Sequence, residues 1–533
     1  MTPKNLPIGM VLLACSLSPQ ISRAETTSST VTKGSFIHYD FGGYYRLRTQ
    51  WIQGLPTLNP DVFAVDRTDL ASKADFAFMR LRLNPSISFG RDKNRPIAKL
   101  NFQIDGFDNV VLGDNDLLAD TPVFGDQPSN TDILGVDIDS VNLRRAWIEF
   151  MIPVGQLRIG RMGTQWGLGL LVNDGNGLEG DFGDARFGTT NDRILFATRP
   201  LTIFNAIVND DRSETPLIFV VAYDKIVEDP FLERSDFRFT DSMDARKELP
   251  FGRFVRHYDD VQQVVFALVW NDKKPSFGQL GDQLTAGVQG TKRWQDSSES
   301  SVLIYDMYWR FKYSAFGASG PRLITEAELL TIQGQSRAIS AGTLTEPDVY
   351  NGVVRVGAEA TSWDAIFEVG SASGDAVIAD GDFTSRAFNP DYRLGLVMFP
   401  IVMQSRTAHQ FQDNPALWSK GGVYNANYLF PHARYRPTEN LEFVGALLLA
   451  WADQLTPVIG GSQRDDGSVE CGLFDTDCAL GWELDTAMKV KWGEEDLMRW
   501  STEFGLMSPG KALETVIQKD LIWTLQSRIG LVW

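Results

Sequence analysis

The chain has 533 residues, 68 of them acidic and 50 basic, for a formal charge of −18. That balance speaks against nucleic acid as a partner, since a polyanion calls for a basic face. Hydrophobic residues make up 43% and aromatics 11%, which suits a globular enzyme and an outer-membrane barrel equally, because a barrel's polar interior dilutes its lipid-facing band. No stretch offers the roughly 18 uninterrupted apolar residues of a transmembrane helix. Pattern has to separate the two classes.

The N-terminal MTPKNLPIGMVLLACSLSPQISRA carries Lys4, an apolar run from Ile8 to Ala14, and small residues at Ser22 and Ala24. This reads as an export signal over residues 1–24, cleaved after Ala24. Leu12-Leu13-Ala14-Cys15 approaches a lipobox, but Leu13 stands where a small residue is usual. Cleavage would remove Lys4 and Arg23, leaving 48 basic against 68 acidic groups, or −20. It would also leave Cys471 and Cys478 as the only cysteines. Seven apart in ECGLFDTDC, in an exported chain, they are expected to form one local disulfide. A metal site there would lack ligands. Residues 25–35 form a polar linker, and residues 36–533 read as one domain.

From Phe36 onward the chain alternates. In FIHYDFGGYYRLRTQWIQ one parity holds Ile37, Tyr39, Phe41, Tyr45, Leu47 and Trp51, the other His38, Asp40, Arg46, Arg48 and Gln50. Side chains alternate faces along a strand, and aromatics at both ends of the apolar face match the girdles of a lipid-facing strand. FMRLRLNPSISF, KLNFQID, LIYDMYWRFKY, WELDTAMKVKW and MRWSTEFGL repeat the pattern. These runs exceed the five or six residues usual in a soluble sandwich. They match the roughly nine to eleven that a tilted strand needs to cross a bilayer.

Strands are expected near 36–53, 76–89, 97–111, 140–151, 155–162, 190–199, 216–225, 260–271, 282–294, 301–313, 321–333, 351–361, 363–372, 425–436, 440–452, 481–492, 498–508 and 519–533. Connections then alternate, short inside (GRDKNR, IPVG, TSW, RPTE, GEED) and long outside (54–75, 112–139, 163–189, 226–259, 334–350, 373–424, 453–480). The fold class is therefore all-β: a transmembrane, antiparallel, up-and-down barrel of about eighteen strands. Two connections break the rule: 200–215 is a long inside turn and 295–300 a short outside loop. YRLGLVMF at 392–399 also looks like a strand, and parity assigns it to the loop 373–424. The last strand, LIWTLQSRIGLVW, sets Trp533, Leu531, Ile529, Leu525, Trp523 and Leu521 on one face. A barrel has no edge, so this strand must pair with the first. Trp533 with Leu531 and Ile529 is expected to act as the signal read by the barrel assembly machinery.

GGYYRLRTQW, NLRRAWIEFMIPVGQLRIGRMGTQWGLGLL and GWELDTAMKVKW resemble stretches of large outer-membrane porin-like barrels. The resemblance is to the alginate-export class and to a related uncharacterised barrel family. It implies an outer-membrane channel in a Gram-negative bacterium and carries neither a catalytic residue nor a named solute onto this chain.

The residues themselves give little to catalysis. The four histidines, His38, His257, His409 and His432, stand near no serine in a recognisable pattern, so a membrane-embedded hydrolase is the weakest alternative. WGLGLL lacks the third glycine of a dinucleotide site. NDGNGLEGDFGDARFGTTND is rich in oxygen ligands, and Asp174, Asn176, Glu179, Asp181 and Asp184 are conceivable calcium ligands. Its spacing fits no EF-hand, and a solvated loop is the favoured reading. As the third outside loop it is a candidate to fold inward and narrow the channel. No cofactor and no metal are expected.

Inward charge is the most informative feature. The first third of the barrel places Arg46, Arg48, Arg80, Arg82, Lys99 and Arg158 on the polar face; later strands place Glu326, Glu328, Glu359, Glu368, Glu483, Asp485 and Glu503 there. A basic arc facing an acidic arc would set a transverse field across the lumen. The expectation is a passive channel for small hydrophilic solutes, with acidic sugars or other organic anions following the arginines. A non-conducting scaffold or adhesin is the alternative. Outer-membrane lipids are the expected surroundings, and the oligomeric state is left open.

Overall fold

The computed structural model of the protein describes residues 36–533 except 55–72, 114–140, 177–179, 186–187, 210, 212, 229–260, 274, 276–281, 297, 318–319, 341–342, 378–380, 412–416, 460–469, 515–516 and 518–520. The expected signal peptide and linker, Glu179 and His257 fall outside the described residues.

The strands are β1 (Ile37–Gln53), β2 (Lys73–Phe89), β3 (Ala98–Gly113), β4 (Val141–Ile152), β5 (Gly155–Gly163), β6 (Thr190–Thr198), β7 (Leu217–Glu228), β8 (Gln262–Asp272) and β9 (Gln283–Gln295). They continue with β10 (Ser300–Tyr313), β11 (Arg322–Ser340), β12 (Thr343–Glu359), β13 (Trp363–Ala372), the two-residue β14 (Asp382–Phe383), β15 (Ala426–Thr438), β16 (Leu441–Ala452), β17 (Ala479–Trp492), β18 (Met498–Pro509) and β19 (Ile522–Val532). Apart from β14, which pairs parallel with β12, each strand pairs antiparallel with its neighbour in sequence, β13 with β15. β19 closes on β1, with Arg48 opposite Arg528 and Tyr45 opposite Leu531. The result is a closed antiparallel barrel of eighteen strands with one short strand added.

The barrel is inside out relative to a soluble protein. Large apolar side chains stand exposed around its outer face, among them Trp51, Ile194, Phe266, Tyr305, Met307, Val356, Phe367, Trp482, Trp500 and Ile529. Inward neighbours on the same strands, such as Arg46, Arg48, Asp306, Glu368, Glu483 and Arg528, are buried. A monomeric surface rarely exposes apolar area on this scale, and a closed barrel is the only sheet with no unpaired edge to offer lipid.

Three expectations change. The connection read at 200–215 contains a helix, Pro200–Val208, which begins on the proline tolerated in a first helical turn. The outside loop read at 334–350 is instead strand, since β11 and β12 run past the other strands and pair as far as Ser340 with Thr343. YRLGLVMF is neither barrel strand nor plain loop. Gly395 turns with φ +71°, and Met398–Met403 then forms a π-helix leading into the helix Gln404–Gln410.

That segment fills part of the lumen. Phe388, Met398, Phe399, Val402 and Met403 are fully buried and pack in one cluster with Val444, Ala446, Leu448 and Ala450, the inward residues of β16. The polar-lumen expectation fails over this sector, because the inward parity of LEFVGALLLAWA is apolar and is covered by an apolar loop rather than by water.

The carboxyl terminus seals the seam. The Gly43 N–H donates to the Trp533 carbonyl at 2.9 Å, and the Trp533 N–H donates to the Gly43 carbonyl at 3.1 Å. The indole lies so close to Gly43 that a β-carbon there would stand 3.0 Å from the ring. Deleting Trp533 is therefore expected to lower the yield of heat-modifiable, membrane-inserted barrel by several-fold while export continues. A gel-shift assay on membrane fractions checks this, and normal amounts of folded barrel would contradict it. Cys471 and Cys478 are joined by a disulfide.

Candidate functional site: arginines and inward loops

Two loops cross the lumen, and carboxylates on the wall hold them in the same way. The first, 164–189, is anchored on β11. The Glu328 carboxylate accepts from the backbone N–H groups of Leu168, Gly169 (3.0 Å) and Leu170 (3.2 Å). The second, 384–425, is anchored on β17. Glu483 accepts from Leu396 at 2.6 Å and from Val397 and Met398 at 2.7 Å. Successive backbone N–H groups form an anion-binding nest. Each nest follows a glycine with positive φ, Gly167 at +54° and Gly395 at +71°. A β-carbon at either glycine would strike the carboxylate, at 2.4 Å and 2.7 Å.

The first loop reaches across the whole cross-section. Near β2–β4, Arg82 donates to the Gly175 carbonyl at 3.1 Å, and Arg145 to the Asp174 carbonyl at 2.7 Å and the Asn176 amide oxygen at 3.2 Å. Across the lumen, Asp181 pairs with Arg434 on β15, with the His432 ring 3.6 Å away, and Lys489 donates to the Gly180 carbonyl at 2.6 Å. Burial would raise the Asp181 pKa. Arg434, then Lys489 and His432, outweigh it and hold the carboxyl at about 2. A depressed folded pKa stabilises the loop above the ordinary carboxylate range, and that contribution is lost only as pH falls through about 2.

The tip of this loop meets the arginines. Asp184 is buried against three guanidinium groups: Arg46 at 3.0 Å, Arg48 at 2.8 Å, and Arg528. Arg80 stands opposite Arg46 on β2. Arg46 and Arg82 lie over the Tyr44 ring, each 5.8 Å from its centre, and Arg48 lies over Phe78. Beside Asp184, the Gly183 N–H donates to Glu503 at 2.8 Å. The second loop contributes Arg393, whose side chain passes close to Gly183. Burial first, then the charges of Arg48 and Arg46, bring its pKa down to about 10. Five arginines, Arg46, Arg48, Arg80, Arg393 and Arg528, thus gather within one wall sector and the loop against it.

The arginine group of the sequence reading is brought together only in part. Arg46, Arg48 and Arg80 share the cluster. Arg82 turns to Asp105, its Nε and Nη2 donating to the two carboxylate oxygens at 2.6 and 2.7 Å. Lys99 and Arg158 stand apart near the end of the barrel that carries both chain termini, each opposite Glu149. Arg528 and Arg393 were missed. Arg528 sits on the inward parity of a strand expected to pair with the first, which was signal enough; Arg393 is a loop residue with no periodicity to mark it.

The opposed acidic arc needs correction. Because β19 closes on β1, Glu483 and Asp485 on β17 and Glu503 on β18 lie beside the arginines rather than across from them. Glu326, Glu328, Glu359 and Glu368, on β11 to β13, do lie roughly across the barrel. They are engaged: Glu326 with Arg310 at 2.8 Å, Glu359 with Lys312 at 2.6 Å, and Glu368 with Arg355 at 2.6 Å. Glu368 also accepts from the hydroxyls of Tyr392 and Tyr428, at 2.7 Å each. The calcium candidates do not converge either. Asp174 binds Asn176, Asp181 faces Arg434 and Asp184 faces arginines. Among the described residues no group of three or more His, Cys, Asp or Glu could hold a metal ion.

At the loop-bearing end, a cavity of about 200 Å³ lies between the inner faces of β9–β12 and the second loop. Ile304, Ile332, Val349, Phe383 and Tyr424 line it together with Arg293 and Arg386, and among the described residues no Asp or Glu does.

No family model matches the chain, and no curated protein is similar to it in sequence. Solved structures of Pseudomonas aeruginosa barrels are similar in outline. OccK8 (OprE) shares 10% identity over 93% of this chain and 98% of its own, with a TM-score of 0.47. The outer membrane protein OpdK shares 9% over 93% and 99%, at 0.45. OccK2 (OpdF), solved in complex with glucuronate, shares 9% over 92% and 98%, at 0.46.

Proposed function

We propose that this chain is a selective channel of a Gram-negative outer membrane, passing small hydrophilic organic anions along the wall of β19, β1 and β2. The observation that carries the reading is the grip of Arg46, Arg48 and Arg528 on one carboxylate, Asp184. A protein carboxylate occupies the place that an acidic solute would take. Guanidinium groups stay charged at any working pH and present a planar fork to carboxylate. The cavity at the outer end, apolar with two arginines, would receive the carbon body of such a solute. Acidic sugars, the narrower form expected from the inward arginines, are one member of this class.

The test is conductance of the purified full chain in planar bilayers. The expected record is an ion current blocked by millimolar organic anions. Replacing Arg46 and Arg48 together by glutamine is expected to move the reversal potential toward cations by tens of millivolts. An unchanged potential in a folded double variant would remove these arginines from the path. The scaffold reading is favoured by one feature, the apolar seal of the second loop on β16. A folded barrel with no current at all would establish it. A hydrolase gains no support from the described histidines: His38 contacts the Gly90 carbonyl, and His432 the Phe430 carbonyl and Asp181.

A further inference from the structure

The helix Pro200–Val208 has its polarity reversed. Its large exposed side chains are Leu201, Phe204, Ile207 and Val208, at 41, 59, 78 and 59% exposure, while Thr202 is buried. At 100° per residue those four apolar side chains fall on one contiguous third of the helix. Thr202 faces the barrel, where its hydroxyl meets that of Thr215 at 2.9 Å and accepts from the Thr215 N–H at 2.8 Å. Arg199 donates to the Thr215 carbonyl and pairs with Glu214 at 3.5 Å. The orientation is thus fixed from both ends of the connection, with the apolar face held outward.

We propose that this face is a lipid anchor, lying in the headgroup and upper acyl region of the leaflet at the end of the barrel that carries both termini. Continuity with the membrane-facing wall identifies the occupant. The helix follows β6 after a single residue, Arg199, and β6 displays Ile194 outward at 52% exposure. Ile152, Val154 and Trp270, on neighbouring strands and their turn at the same end, are exposed as well. Apolar side chains are therefore exposed on the wall and on the helix alike at this end of the barrel. Apart from the half-buried Arg199 and Asn205, the exposed polar residues Asn209, Asp211 and Glu214 lie where the chain turns back toward β7. An amphipathic helix in this setting lies in the plane of the interface with its apolar face a few ångströms into the lipid. It explains why one inside connection is long: nine residues fix the barrel's depth where other turns merely reverse the chain.

The experiment uses Ile207→Cys and Asn209→Cys, each in a full-length Cys15→Ser background with the Cys471–Cys478 bond left unreduced. Each thiol is labelled with an environment-sensitive fluorophore, and the barrel is refolded into phosphatidylethanolamine–phosphatidylglycerol vesicles. Both positions are exposed, so folding is retained and is checked by heat-modifiability. The label at 207 is expected to be quenched at least twofold more than that at 209 by phospholipid carrying a shallow spin label, with aqueous iodide giving the reverse order. Equal iodide quenching at both positions would overturn the proposal by placing the helix in water. Shielding of position 207 from both quenchers would overturn it in favour of a second copy or a protein partner. Neither outcome depends on whether the barrel conducts.

Discussion

Replacing Asp184 by asparagine is expected to raise the channel's apparent affinity for an external carboxylate by about tenfold or more, and to shift its reversal potential toward anions. In the wild type that carboxylate is tethered beside Arg46, Arg48 and Arg528, at an effective concentration in the millimolar range or above. An incoming anion must displace it. Asparagine keeps the shape and removes the competitor, leaving the arginines with one negative charge fewer. Losing one partner of a buried pair is costly to the partners left behind, about 3–5 kcal/mol, which is why an external anion would be drawn in. Titrating current block with citrate in wild type and variant measures the effect. Equal block constants, in barrels that are equally heat-modifiable, would mean that Asp184 and the solute do not share a site.

The sequence made the wall legible and left the interior obscure, for one physical reason. A strand in a bilayer must place apolar groups on lipid at every second residue, so parity reads directly onto the outer face. All eighteen barrel strands fall within a few residues of their expected spans, except where β11 and β12 lengthen beyond the wall. Parity also names inward residues correctly, including Arg46, Arg80 and Glu483. It says nothing about what those residues touch. The acidic side chains looked like a solute-facing arc, but Glu328 and Glu483 hold loop backbones that have no periodicity of their own. At the seam the last strand lies against the first, so Arg528 and Glu503, remote in sequence from Arg46 and Arg48, stand beside them in space. The nests did leave a trace, in WGLGLL and YRLGLVM: a glycine followed by three apolar residues whose backbone, rather than side chains, does the binding.

The largest effect on the second loop is expected from Glu483, and two substitutions separate its charge from its hydrogen bonds. Leucine fills a similar volume and accepts nothing. Glutamine keeps one oxygen, and Leu396 and Val397 both donate to the same carboxylate oxygen while Met398 uses the other. A glutamine with its oxygen in the shared position therefore loses one donor, and leucine loses all three. Each buried donor left unpaired costs about 1–3 kcal/mol, so leucine should weaken loop docking by about 2–6 kcal/mol more than glutamine. Both variants remove the carboxyl of Glu483 beside the buried Asp485, but glutamine can keep the hydrogen bond between the two side chains that leucine loses, which widens the gap in the same direction. The barrel itself keeps its ladders, since β17 pairs with β16 and β18 through backbone groups. A gap of 2 kcal/mol corresponds to roughly thirtyfold in the population of a released loop. Cleavage by trypsin at Arg393, Arg406 or Lys420 follows that population when reclosing is fast. The leucine variant is thus expected to be cut at least thirtyfold faster than the glutamine variant, with larger and noisier single-channel currents. Equal cleavage of the two would show that the apolar packing of Phe388, Met398 and Phe399 holds the loop without the nest.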